Sequence, residues 1–225
     1  MRKVTRLLYL IKKNKMKKFF NNEVSIKQEL WRKLNHLLIM ILPIAYFFIS
    51  KKTLLYFVIP VCSTIILVDY FRHKSRKIAK LFNLIFGKVL RDHEKNNLCG
   101  ATYFSAAAII CVILFPKIIV INAFLILAIS DSVASIFGKK IISQPFFEKS
   151  TAGSVSFFSS AFIIVIINGL IFDEGIWYHL FSLLAIFVTT IIEARPSLLK
   201  LDDNLTIPLS FSLVLFAFNF IWIYS

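Results

Sequence analysis

Seven apolar stretches alternate in this chain with segments that hold nearly all of its cations. They run approximately over 34–50, 54–71, 99–115, 118–137, 154–172, 176–193 and 205–224. A helix needs ~17–25 residues to cross the hydrocarbon of a bilayer. In lipid every backbone N–H and C=O must be satisfied within the protein, so continuous apolar runs of this length read as helices. Pro43 and Pro60 interrupt the first two runs, which membrane helices tolerate when neighbours re-satisfy the backbone. The charge pattern then sets the topology. Of the 27 Lys and Arg, 24 lie in 1–36, 71–98, 138–153 and 194–205, leaving Lys51, Lys52 and Lys117 for the other side. That is the positive-inside asymmetry, with a cytoplasmic N-terminus. The expected fold is all-α, a polytopic membrane bundle of about seven transmembrane helices with one or two interfacial helices.

Charged residues make up 17% of the chain and hydrophobic residues 58%, too little charge to cover a soluble domain of this size. The net charge of +15 is therefore read as a topology signal and an attraction for anionic lipid headgroups, with no nucleic-acid partner expected. Residues 1–33 form a basic amphipathic cytoplasmic segment, with Val4, Leu7, Leu8 and Ile11 on one helical face. A single transmembrane catalytic domain is expected over 34–225. Ile78, Leu81, Phe82, Ile85 and Val89 recur at helical spacing, which predicts a second interfacial helix over 78–90. Cys62, Cys99 and Cys111 fit neither a zinc site nor a disulfide framework. The first 30 residues are polar and basic, without the apolar core of a cleavable signal peptide.

Polar clusters gather on the expected cytoplasmic side. Asp131 follows the run Ile118 to Ile129, and an acid at a membrane boundary is costly enough to suggest a function. Around it stand Ser130, Ser132, Ala134, Ser135, Gly138, Lys139 and Lys140. An aspartate can hold Mg2+ or another divalent cation together with substrate phosphates, and glycine and lysine can approach and neutralise a phosphate. Lys149-Ser150-Thr151-Ala152-Gly153-Ser154 can form an anion-binding helix N-terminus, which is also what an ordinary helix cap looks like. Glu193 ends the sixth run, and Asp202-Asp203-Asn204 abut the seventh. These acids are candidate metal ligands (Asp131 and Asp202) and a candidate general base among Glu193, Asp202 and Asp203. Possible supporting residues are Arg32, Lys33 and His36 after Glu29, then Glu94, Gly100 and Thr102. Arg32 and Lys33 read equally well as snorkelling anchors. The chain has no P-loop, no Gly-x-Ser-x-Gly and no His-Glu-x-x-His.

Taken in order, these clusters resemble the CTP-dependent lipid kinases, the family of dolichol, phytol, polyprenol and CTP-using diacylglycerol kinases, within the wider phosphatidate cytidylyltransferase superfamily. The resemblance runs from about Glu29 to Pro208. It is most specific in Ser130-Asp131-Ser132-x-Ala134-Ser135-x-x-Gly138-Lys139, Lys149-Ser150-x-x-Gly153-Ser154, and Glu193 with Asp202-Asp203-Asn204-Leu205-x-x-Pro208. The chain departs from the family pattern at Ile141-Ile142-Ser143-Gln144, where a second glycine is common, and at Ala152, where glutamate is common. The resemblance implies a magnesium-dependent kinase with CTP as co-substrate and a membrane lipid alcohol as acceptor. Its active face would be cytoplasmic, in a bacterial inner membrane or the endoplasmic reticulum. On this reading Lys139 and Lys149 hold phosphate oxygens, the Gly153-Ser154 backbone assists, and Asn204 orients the base. A phosphatidate cytidylyltransferase is the alternative, although that family's C-terminal signature is absent from the apolar segment Leu209 to Ser225. A small transporter or lipid-binding scaffold built around Asp69, Asp131 and Glu193 is the non-enzymatic alternative.

Overall fold

The computed structural model describes residues 38–86, 90, 94 and 97–224. The expected segment 1–33, the cluster Glu29, Arg32, Lys33 and His36, residues 91–93, and the 87–89 turn of the 78–90 helix lie outside the described residues.

The described chain is helical apart from one small hairpin. In order it forms α1 (Ile41–Phe48), α2 (Lys51–Arg72), α3 (Arg76–Phe86), α4 (Gly100–Leu114), α5 (Lys117–Leu125), a π-helical turn (Ile126–Ser130) and α6 (Asp131–Lys140). There follow β1 (Pro145–Phe146), β2 (Lys149–Ser150), α7 (Thr151–Ile171), α8 (Ile176–Ala194), a 3-10 turn (Pro196–Leu198) and α9 (Asp203–Tyr224). Four helices are long and apolar enough to cross a membrane: Lys51–Arg72, the continuous Lys117–Lys140, Thr151–Ile171 and Ile176–Ala194. Gly100–Leu114 and the Asp203–Phe218 part of α9 are apolar but shorter. Of the first apolar run, residues 38–50 are described; 38–39 are helical, and α1 follows after Met40.

Lys117–Lys140 is the central helix, 67% buried against 22% for Lys51–Arg72. Every residue from Ile118 to Phe124 is buried. Helices α1, α7 and α9 pack around it, α8 packs between α7 and α9, and α2 lies outside against α4. Large side chains such as Phe57, Val61, Ile163, Ile167, Leu184, Phe187 and Leu213 face outward. With four helices long and apolar enough to cross a membrane, a belt of this kind suggests a lipid-facing surface.

The two ends of the bundle differ. At one end Lys51 donates to Ile113 O (2.8 Å), and Lys117 donates to Phe47 O (3.0 Å) and Ile49 O (3.1 Å). Just inside that end a buried chain of hydrogen bonds ties three helices. Asn168 Nδ2 donates to Asn122 Oδ1 (2.7 Å), and Asn122 Nδ2 to the Tyr178 hydroxyl (2.5 Å). Such interhelical amide bonds hold membrane helices together where no hydrophobic force acts between them. Asp131, Lys149, Glu193 and Asp203 lie at the other end.

Two small residues set the crossing of α6 and α7. A Cβ on Gly138 would lie 2.8 Å from Ser150 Oγ and 3.4 Å from Gly153 Cα, and one on Gly153 would lie 3.1 Å from Ala134 O. Ser150 is fixed, because its hydroxyl accepts from Gly153 N (3.2 Å) and caps α7. Gly138→Ala is expected to destabilise the protein by about 1–3 kcal/mol through overpacking, outweighing the roughly 1 kcal/mol that alanine gains in a helix. Thermal unfolding of the purified protein in detergent reads this, and an unchanged midpoint would contradict it.

Candidate functional site

Lys149 is carried by β2 of the hairpin that connects α6 to α7. The strands pair as Pro145 with Ser150 and Phe146 with Lys149, which leaves Phe147-Glu148 as the turn. Phe147 adopts φ 53°, a left-handed conformation that an aromatic side chain rarely takes without support. The support comes from α8. Glu148 N donates to Ala194 O (3.0 Å), the Glu148 carboxylate accepts from the Ser197 hydroxyl and from Ser197 N (3.4 Å), and the Arg195 guanidinium lies 5.7 Å from the centre of the Phe147 ring. The hairpin is thereby pinned over the end of α8.

From that position the Lys149 ammonium donates to Glu193 Oε1 and, at 3.2 Å, to Asp203 Oδ2. Asp131 is near enough to act electrostatically on Lys149, Glu193 and Asp203. Residues from α6, the hairpin, α8 and α9 thus converge, although 62 positions separate Asp131 from Glu193 in the chain. Burial pulls the Lys149 pKa down, but Asp203, Glu193 and Asp131 outweigh it and hold the ammonium above the ordinary lysine value. Glu193 is 1% exposed, and its second oxygen, Oε2, has no hydrogen-bond partner among the described residues. The hydroxyls of Ser130 and Ser154 are also buried without a partner. Unsatisfied buried oxygens are uncommon and call for a reason.

The π-helical turn delivers Asp131. Its N–H bonds back to Ile126 O, five residues earlier, which widens the central helix directly before the acid. Single π-turns inside helices occur frequently at functional sites. Ser132 donates to Ala128 O (2.7 Å). Ser135 is half-buried one turn on, while Lys139 and Lys140 are exposed at the end of α6.

The other expected residues have structural duties of their own. Asp202 caps α9, with Oδ1 accepting from Asn204 N (2.9 Å) and Asn204 Nδ2 (2.6 Å). Glu94 is buried and accepts from Gly100 N (2.8 Å), satisfying the start of α4. Gly100 is the contact between these two helix starts, since a Cβ there would lie 2.7 Å from Asn204 Nδ2 and 3.4 Å from Glu94 Oε1. Gly138, Gly153 and Ser150 serve the helix crossing and the cap described above.

Sequence reasoning named Asp69, Glu94 and Thr102 separately but missed the second centre they build at the same end. Asp69 is fully buried and accepts from Arg72 Nε (2.5 Å), Cys99 N (2.9 Å) and the Thr102 hydroxyl (2.5 Å). Arg72 in turn donates to Glu94 O and Asn97 O, each at 2.7 Å, and lies 4.7 Å from the centre of the Phe82 ring. This clasp fixes the segment that carries Glu94. The signal was present in the sequence as Asp69-x-x-Arg72, an acid and a base one turn apart at the end of an apolar run. Glu148 was also passed over, and its role as hairpin anchor left no trace in the pattern.

Among the described residues no group of three or more His, Cys, Asp or Glu is arranged to hold a metal ion. The carboxylates of the Lys149 site converge on the ammonium. Three carboxylates against one ammonium leave a formal excess of negative charge, and Glu193 Oε2 has no hydrogen-bond partner among the described residues.

No family model matches the chain, and no solved structure matches it. It is 33% identical over 193 residues to the uncharacterized protein RP860 of Rickettsia prowazekii (strain Madrid E), a match covering 84% of this chain and 94% of that protein. The matched length takes in most of the described helices, and the chain belongs to the family of that Rickettsia protein.

Proposed function

We propose that the chain is a CTP-dependent lipid kinase that transfers a phosphoryl group to the hydroxyl of a membrane lipid alcohol of the polyprenol, dolichol or diacylglycerol type. The single observation that carries the proposal is the convergence of Lys149, Glu193 and Asp203, with Asp131 beside them, at one end of an apolar helix bundle. The choice of CTP and of a lipid acceptor rests on the motif resemblance. On this reading seven spans cross the membrane, and the N-terminus and the Lys149 end lie in the cytoplasm, as the distribution of cations favours.

Phosphoryl transfer needs mainly positioning and neutralisation of charge. The lipid hydroxyl oxygen forms a bond to the γ-phosphorus as the bond from that phosphorus to the β–γ bridging oxygen breaks, and CDP leaves with the electron pair. The hydroxyl proton passes to a carboxylate, for which Glu193, Asp203 and Asp202 are the candidates. Lys149 is the cation that meets phosphate oxygens, and Asn204 keeps Asp202 oriented. An acidic site of this kind repels a bare nucleotide, so the charges favour a nucleotide that arrives with a divalent cation. The Glu193 oxygen with no hydrogen-bond partner among the described residues is a hard donor of the kind Mg2+ takes alongside substrate phosphates. Asp131 and Asp202 would hold it, and when bound it would neutralise charge on the transferring group.

The test is CTP labelled in the γ- or α-phosphate, incubated with purified protein, Mg2+ and a panel of lipid alcohols. γ-Label in the organic phase supports the proposal. α-Label entering lipid when phosphatidate is supplied would replace it with the cytidylyltransferase reading, and solute flux without nucleotide binding would replace it with a transporter. Asp131→Asn is expected to lower transfer by roughly 10²-fold or more, the scale of losing one contact to transition-state charge, while membrane insertion is retained. Full activity in that variant would refute the role given to Asp131.

A further inference from the structure

The hairpin presents Lys149 to Glu193 and Asp203. On the rest of the connection between α6 and α7, Ile142 is 80% exposed and Phe147 is 53% exposed, and Leu198 and Leu199 of the neighbouring turn are exposed at 52% and 47%. Lys139, Lys140, Arg195 and Lys200 are exposed among them. The exposed acid in this stretch, Glu148, is committed to Ser197. Apolar side chains interleaved with cations are the composition of a segment that lies in a membrane interface.

Position supports the same occupant. The hairpin leaves the end of the Lys117–Lys140 helix and returns into Thr151–Ile171, and it is pinned to the end of Ile176–Ala194. All three helices are long and apolar enough to cross a membrane, so their ends lie where headgroups begin. A second copy of the chain fits the surface poorly. Two-fold self-association would bring the same patch face to face, setting four cations against four.

We propose that segment 141–148, which includes the hairpin turn, and the 196–201 turn form a lipid-docking surface seated in the anionic headgroup layer of the leaflet from which they emerge. Their apolar side chains enter the acyl boundary, and Lys139, Lys140, Arg195 and Lys200 contact lipid phosphates. The surface sets the depth of Lys149, which then faces its carboxylates at headgroup level. The inference does not depend on the kinase reading, and its test contains no nucleotide.

Ile142→Cys and Phe147→Cys, each labelled with an environment-sensitive fluorophore in lipid nanodiscs, provide the test. Cys62, Cys99 and Cys111 are buried, and labelling of the unsubstituted protein measures their background. Both probes are expected to be quenched by spin-labelled lipids at a depth of about 5–10 Å into the headgroup and acyl boundary and to be shielded from aqueous iodide. Replacing Lys139, Lys140, Arg195 and Lys200 by Gln should remove the difference in quenching between anionic and neutral lipid. Ile142 is 80% exposed and lies outside the hairpin strands, so its variant keeps the test valid where Phe147→Cys perturbs the turn. Full access to iodide without lipid quenching would overturn the proposal. So would shielding that disappears when the number of protein copies per nanodisc is reduced to one, which would identify a protein–protein contact instead.

Discussion

Asp69→Ala is expected to lower the stability of the folded protein by about 3–5 kcal/mol, the range for breaking a buried ion pair from one side. Asp69 is fully buried and Arg72 is 7% exposed. Without the carboxylate, the guanidinium keeps its bonds to Glu94 O and Asn97 O but remains desolvated without a counter-charge. The Cys99 N–H and the Thr102 hydroxyl lose their acceptor in the same step, and unsatisfied buried donors carry their own desolvation penalty. These contributions share one network and do not add. Because Arg72 holds the backbone at Glu94, and Glu94 meets Gly100 beside Asn204 and Asp202, the damage spreads towards the start of α9. Unfolding in mixed detergent and dodecyl sulfate, compared with wild type, measures the loss. Removing both charges in Asp69→Ala/Arg72→Met should recover part of it, since the uncompensated charge is then gone. A loss for Asp69→Ala below about 1 kcal/mol, the scale of a surface pair, would mean that the clasp is not closed in the protein.

That the clasp escaped the sequence while the spans did not has a physical reason. Apolar length is a local property, and Lys51–Arg72, Lys117–Lys140, Thr151–Ile171 and Ile176–Ala194 are legible from it directly. The first run was read as a span, and its start lies outside the described residues. The site residues Asp131, Lys149, Glu193 and Asp203 were each conspicuous as polar groups at the edges of apolar runs, so they were found one by one. Their meeting depends on how α6, the hairpin, α8 and α9 pack, which no local window reports. Two devices that bring them together were invisible. Nothing in Ile126-Leu127-Ala128-Ile129-Ser130 announces a π-turn. The hairpin turns at Phe147-Glu148 with no Gly, Asn or Asp at its centre, so the usual turn chemistry gave no signal. The contacts with Ala194, Ser197 and Arg195 impose the turn from outside.

Lys149→Met is expected to destabilise the protein by about 3 kcal/mol, at the lower end for breaking a buried pair. Glu193 is nearly inaccessible, whereas the Lys149 side chain is 29% exposed, so water relieves part of the loss. Methionine keeps the stem volume and removes the charge, leaving Glu193, Asp203 and Asp131 facing one another with no ammonium between them. Lys149→Arg retains the charge but presents a planar fork in place of a compact point charge, and it should recover most of the stability. The two variants separate charge from packing. The pH dependence is a further discriminator. The folded protein holds the ammonium above its ordinary value, so the stabilisation it gives is complete below the unfolded value of about 10.4. It is lost only as pH rises through the higher folded value. Titration of Lys149 itself should therefore take nothing away from the stability difference between wild type and Lys149→Met between neutrality and about pH 9.5. A difference that shrank steadily over that interval would show that Lys149 deprotonates within it, and the carboxylates of Glu193 and Asp203 would then have to be neutralised by another cation.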